Sequence, residues 1–123
     1  KEIALSGNYR KAAAYFNNAG DGEGLYNLGL LYYLGVIGRK RQPAKAYKLF
    51  LESNYKDSKL LMALMKFNND GVIKDDEKAK ELLGNLPDSA LKVALESVLS
   101  GGRSHEDLNT IYQFDVKSLF VKP

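Results

Sequence analysis

Leu25-Tyr26-Asn27-Leu28-Gly29-Leu30-Leu31-Tyr32-Tyr33-Leu34-Gly35-Val36 is the stretch that decides the fold. Leu25, Leu28, Leu31 and Tyr32 fall at the i, i+3, i+4 spacing of one helix face. Gly35 follows where a helix C-cap favours a residue at positive φ, so the helix is expected to stop there. The pattern then recurs. Leu28-Gly29-Leu30-Leu31-Tyr32-Tyr33-Leu34-Gly35 is matched 36 residues on by Leu64-Met65-Lys66-Phe67-Asn68-Asn69-Asp70-Gly71, and a fainter copy, Ala94-Leu95-Glu96-Ser97-Val98-Leu99-Ser100-Gly101, follows 30 residues later. A period in this range marks a stacked repeat, because one unit cannot bury its apolar face alone.

A second helix type interleaves with the first. Asn8-Tyr9-Arg10-Lys11-Ala12-Ala13-Ala14-Tyr15-Phe16 reappears as Gln42-Pro43-Ala44-Lys45-Ala46-Tyr47-Lys48-Leu49-Phe50 and, more loosely, as Asp75-Asp76-Glu77-Lys78-Ala79-Lys80-Glu81-Leu82-Leu83. Pro43 and Pro87 each open an apolar-periodic run, where a missing N–H costs nothing. Asp75 and Ser104 are good N-caps, and Ser104 with Asp107 resembles a capping box. The predicted helices cover 8–19, 23–34, 43–53, 58–69, 75–84, 87–99 and 104–113. Short links between them require antiparallel neighbours.

Composition narrows the chemistry. The 123 residues fit one domain, 45% hydrophobic and 27% charged, which is ordinary globular usage. There is no cysteine, which excludes disulfides, thiolate nucleophiles and Cys-based metal sites. No apolar run approaches the roughly 18 residues that span a bilayer, so a soluble chain without membrane insertion is expected. The opening at Lys1 rather than Met leads to the expectation that an N-terminal piece has been removed, and the compartment stays open between cytosol and periplasm. Net charge is +3 with a pI near 9.0, from 18 basic and 15 acidic residues that are interspersed. That is not the concentrated basic face which phosphate backbones require, so nucleic acid is not an expected partner.

The two motifs together resemble the Sel-like repeat, a relative of the tetratricopeptide repeat. The likeness is carried by Leu-Gly-x-x-Tyr-x-x-Gly at Leu28, Gly29, Tyr32 and Gly35, followed after a loop by Lys-Ala-x-x-x-Phe at Lys45, Ala46 and Phe50, and it covers roughly residues 7 to 101. It implies an all-α fold, a right-handed α-α superhelical solenoid of antiparallel helix pairs in one domain, 1–123. Its repeats would span 7–36, 37–71 and 72–101, and 102–123 would close the exposed end. The second copy departs from the pattern at Met65 and Asn68, the third at Leu95 and Glu96. Gly29 would let neighbouring helices approach closely, so Met65 implies a wider crossing or a shifted packing. The resemblance also implies a non-enzymatic scaffold or adaptor holding a partner protein or peptide in a concave groove.

In that groove the resemblance places Tyr26, Leu30 and Tyr33, a second apolar stripe beside the framework stripe of the same helix. Their counterparts in the next copy, Met62, Lys66 and Asn69, would make the groove more polar along its length. The alternative is that the stripe packs on the preceding helix through Tyr15 or Ala13. Arg39, Lys40 and Arg41 with Lys45 and Lys48 form the densest basic cluster, either a solvated loop or a seat for an acidic partner segment. His105, beside Glu106 and Asp107, reads as the first turn of a helix whose dipole those acids complement. Gly20-Asp21-Gly22-Glu23-Gly24 reads as a turn before a helix. No catalytic set, metal site or cofactor motif is found, and Asp75-Asp76-Glu77 is an N-terminal cap rather than a metal ligand group. Two other functions stay open. One is a small inhibitor or immunity-type protein, anchored by Arg39, Lys40 and Arg41. The other is a β-lactam-binding or hydrolysing enzyme, against which the lack of cysteine argues, because the related proteins with that activity depend on disulfide-bonded repeats. Oligomeric state is not legible.

Overall fold

A computed structural model describes residues 22–36 and 40–121. Among them are six α-helices and one 3₁₀ turn, and no strand: α1 Gly22–Leu34, α2 Pro43–Glu52, α3 Lys56–Asn68, α4 Asp76–Leu83, α5 Ala90–Leu99, α6 His105–Tyr112 and the 3₁₀ turn Val116–Leu119. The protein is all-α over the described residues, as expected. The helix expected at 8–19 lies outside them. No helix among the described residues is long and apolar enough to cross a membrane.

Local chemistry explains most helix ends. Pro43 occupies the first turn of α2. Asp75 accepts a hydrogen bond from the Lys78 amide and Ser104 accepts one from the Asp107 amide, so the N-caps of α4 and α6 stand where the sequence puts them. One expectation is corrected. Pro87 does not open α5; the helix begins at Ala90 behind Ser89, whose Oγ accepts from the Lys92 amide at 3.2 Å. A start at Pro87 would have made Leu86 the cap, and leucine has no oxygen to offer the free amides of the first turn. The Lys92 ammonium reinforces the later start by donating to the Leu86 carbonyl and pairing with Asp88.

Consecutive helices pack as antiparallel hairpins, α1 with α2, α3 with α4 and α5 with α6. Bonds at both ends of the first pair fix its sense. The Gln42 amide at the start of α2 donates to the Tyr32 carbonyl at the end of α1, and the Ser53 hydroxyl beyond α2 donates to the Gly22 carbonyl at the start of α1. In the second pair the Asp75 amide donates to the Lys66 carbonyl. The first helix of each hairpin is followed within three residues by a glycine at positive φ, namely Gly35 at 84°, Gly71 at 78° and Gly101 at 102°. These are the three glycines that align in the sequence copies. At Gly71 the constraint is double, since a Cβ would also meet the Ala44 nitrogen and the Pro43 Cβ at 2.7 Å. The turn after α3 therefore rests directly on the start of α2, which couples one hairpin to the next.

The segment expected to cap the array divides in two. His105–Tyr112 forms α6 and completes the third hairpin. Residues after it run back over the helices, Phe114 and Leu119 beside Leu91 of α5 and Leu60 of α3, and Phe120 against Leu28 and Leu31 of α1.

Within the first hairpin, Gly29 faces Phe50. A Cβ at position 29 would lie 2.6 Å from Cε1 of the Phe50 ring, and Phe50 is itself buried. The close approach expected of Gly29 is thus real. In the second hairpin the aligned residues are Met65 and Leu83, both buried in the main core, so the first helix carries a larger residue than Gly29 and the second a smaller one than Phe50. Gly29→Ala should therefore destabilise the fold by about 1–3 kcal/mol through overpacking, although alanine is worth roughly 1 kcal/mol over glycine in an open helix. Adding Phe50→Leu to Gly29→Ala should recover part of the loss, read as the interaction energy of a double-mutant cycle by urea denaturation.

Candidate interaction surface

The stripe assigned to a groove is largely core. Tyr26 and Leu30 are 0% exposed and Met62 is 5% exposed, all three in the main cluster with Ala46, Phe50, Leu61 and Met65. Tyr26 packs its ring against Phe50 at 5.9 Å and Tyr55 at 4.9 Å between centroids. Burial, with Asp57 and Tyr55 nearby, pushes its phenol far above the ordinary tyrosine range. Its hydroxyl has no hydrogen-bond partner among the described residues. These positions are not left over after packing, because a chain of this size has little apolar surface to spare. The helices that cover them include α2 and α3, which follow α1 in sequence.

Of the remaining three, Tyr33 meets Arg41 of the basic cluster, while Lys66 and Asn69 stand at the end of α3, beside the turn whose Asp70 reaches the same arginine. Arg41 stacks its guanidinium 4.6 Å from the Tyr33 ring centroid and donates from Nε to the Tyr33 carbonyl at 2.7 Å. It also forks onto both carboxylate oxygens of Asp70, at 2.7 and 3.3 Å, bridging the turn after α1 to the turn after α3. The Asp70 hydrogen bond holds the Arg41 guanidinium still more firmly protonated, and burial raises the Tyr33 phenol. Planar bidentate pairing of this kind is a property of arginine that lysine does not share.

Three lysines repeat the arrangement. Lys45 lies over Tyr32 at 4.8 Å, Lys66 over Tyr47 at 5.5 Å and Lys74 over Phe67 at 4.7 Å. Lys74 is further held by the Phe67 carbonyl and by Asp76. Lys45 and Lys66 make no ion pair among the described residues. Asn69 is the left-handed C-cap of α3, at φ 55°, and its Oδ1 accepts from the Lys74 amide. Its role is to turn the chain. Lys40 and Lys48 are exposed, and Arg39 lies outside the described residues. Ring faces carry partial negative charge, so each pair holds a long basic side chain against a ring. His105 is the exposed first residue of α6, as its dipole reading requires.

The cation–aromatic pairs were missed in the sequence, although the signal was there. Tyr32 and Tyr33 stand at the end of α1, and the basic residues follow at the start of its antiparallel partner, so the hairpin folds one set onto the other. No family model, curated protein or solved structure matches the chain. The likeness to Sel-like repeats accordingly rests on the residues quoted above.

Because Tyr26 is enclosed and Tyr33 sits at the rim, their truncations should separate. Tyr26→Ala is expected to cost about 3 kcal/mol or more by opening a cavity. Tyr33→Ala should cost less than half of that. Chemical denaturation of the two variants checks the order.

Proposed function

We propose that this chain is a protein-interaction scaffold without chemistry of its own, a superhelical array of Sel-like hairpins that binds an acidic segment of a partner protein along its basic, aromatic edge. The observation that carries this reading is the row of four cations laid on ring faces across two hairpins, with Lys45 and Lys66 free of carboxylates among the described residues. Such a row offers pre-ordered positive charge, which lowers the entropy lost on binding, and tyrosine rings that add contact area. The recurrence of a positive-φ glycine at the aligned position of each copy supports the array. The alternative, an inhibitor or immunity-type protein anchored by Arg39, Lys40 and Arg41, draws less support because Arg41 is already engaged by Asp70 and Tyr33.

Fluorescence anisotropy with a labelled peptide of alternating Glu and Tyr tests the proposal. Neutralising both free cations, with Lys45→Gln and Lys66→Gln, should weaken binding about tenfold, or roughly 1.4 kcal/mol, and flatten its salt dependence. Equal affinity in the double variant, with helical circular dichroism intact, would sink it.

A further inference from the structure

Residues 114–121 cross the first helix of every hairpin in turn. Phe114 and Leu119 line a cleft of about 350 Å³ together with Leu91 of α5 and Leu60 of α3. Phe120 then packs on Leu28 and Leu31 of α1, and Val121 reaches Asn27. There the contact is two-sided. Asn27 Nδ2 donates to the Val121 carbonyl at 2.9 Å, and the Val121 amide donates to Asn27 Oδ1 at 2.9 Å, across 94 positions of sequence.

A carboxamide that grips both main-chain groups of one residue recognises an extended backbone rather than a side chain. Asn27 is 3% exposed, so an unmet amide there would be costly, and the tail is what satisfies it. The rest of the attachment is shallow. Val116 is buried, but Phe114, Leu119, Phe120 and Val121 are only partly so, and the hydrogen bonds of Asp115 and Ser118 stay within the segment. Beneath Phe114 and Leu119 the cleft is unfilled.

We propose that the face of α1, α3 and α5 beneath this segment is a binding site for a peptide that is extended where Asn27 clamps it, as the chain is after the 3₁₀ turn Val116–Leu119, and that bears an aromatic residue with an aliphatic neighbour there. Asn27 is its main-chain clamp. The chain's own residues 114–121 are the resident occupant, which a partner peptide of like chemistry displaces. This site is separate from the basic edge, and neither depends on the other.

The test uses the full chain and a fluorescent peptide of residues 113–123. Leu119→Ser with Phe120→Ser loosens the resident segment. The loosened chain should bind the peptide saturably, while the unaltered chain binds it about 100-fold more weakly, because a tethered segment competes at an effective concentration of about 1 mM. Adding Asn27→Ala to the loosened chain should weaken binding about tenfold. The proposal falls if the loosened chain keeps its helical circular dichroism yet does not bind, if the unaltered chain binds equally well, or if Asn27→Ala changes nothing. A loosened chain that unfolds also counts against it, since residues 114–121 would then belong to the core. Hydrogen exchange on the unaltered chain gives an independent reading. The Val121 amide should exchange at least about 100-fold faster than that of Leu61. Equal rates would make the segment a fixed part of the fold and overturn the proposal.

Discussion

Phe50 fills the space that a side chain at position 29 would need, and that single close approach sets how α1 and α2 lie against each other. From it follow the enclosure of Tyr26 beside Phe50, the placing of Ala46 and Leu30 in the same core, and the position of the turn that brings Arg41 under Tyr33. The second hairpin has Met65 and Leu83 at the aligned positions, both buried. Interiors pack at crystal-like density, so the volume added on one helix must be removed from the other. Coupling between hairpins then falls to backbone contact, the turn at Gly71 resting on Pro43 and Ala44, with the Arg41–Asp70 fork alongside. The fork is half-exposed and adds little stability by itself. Its value is geometric, since it fixes a guanidinium that would otherwise sample many rotamers.

Burial and display compete for the same residues in a chain of this size. Tyr26 and Ser58 are buried with hydroxyls that have no partner among the described residues, each at a cost of about 1–3 kcal/mol. That cost is accepted where the ring contributes more by filling the junction of α1, α2 and α3. At the rim Tyr32 and Tyr33 are half-buried, each with one ring face against a cation.

Much of this was legible from the chain. Periodicity in α1, the glycines at 35, 71 and 101, Pro43 and the Asp75 and Ser104 caps act within a few residues, and they placed five helices and their order. The start of α5 was misread because Pro87 and Ser89 both signal a helix N-terminus, and only the side-chain oxygen of Ser89 satisfies a free amide. The Tyr26 and Leu30 stripe was misassigned because a helix wheel shows which residues share a face but not how many faces are covered. The return of Val121 to Asn27 has no local signal at all. It depends on the shape of three assembled hairpins, and an asparagine within an apolar helix face was its sole trace.

Nuclear Overhauser spectroscopy on isotope-labelled protein tests the hairpin register most directly. Gly29 Hα should show cross-peaks to the Phe50 ring protons, and Gly71 Hα to the Pro43 side chain. A well-dispersed helical spectrum in which neither contact is present would contradict the packing on which every surface described above depends.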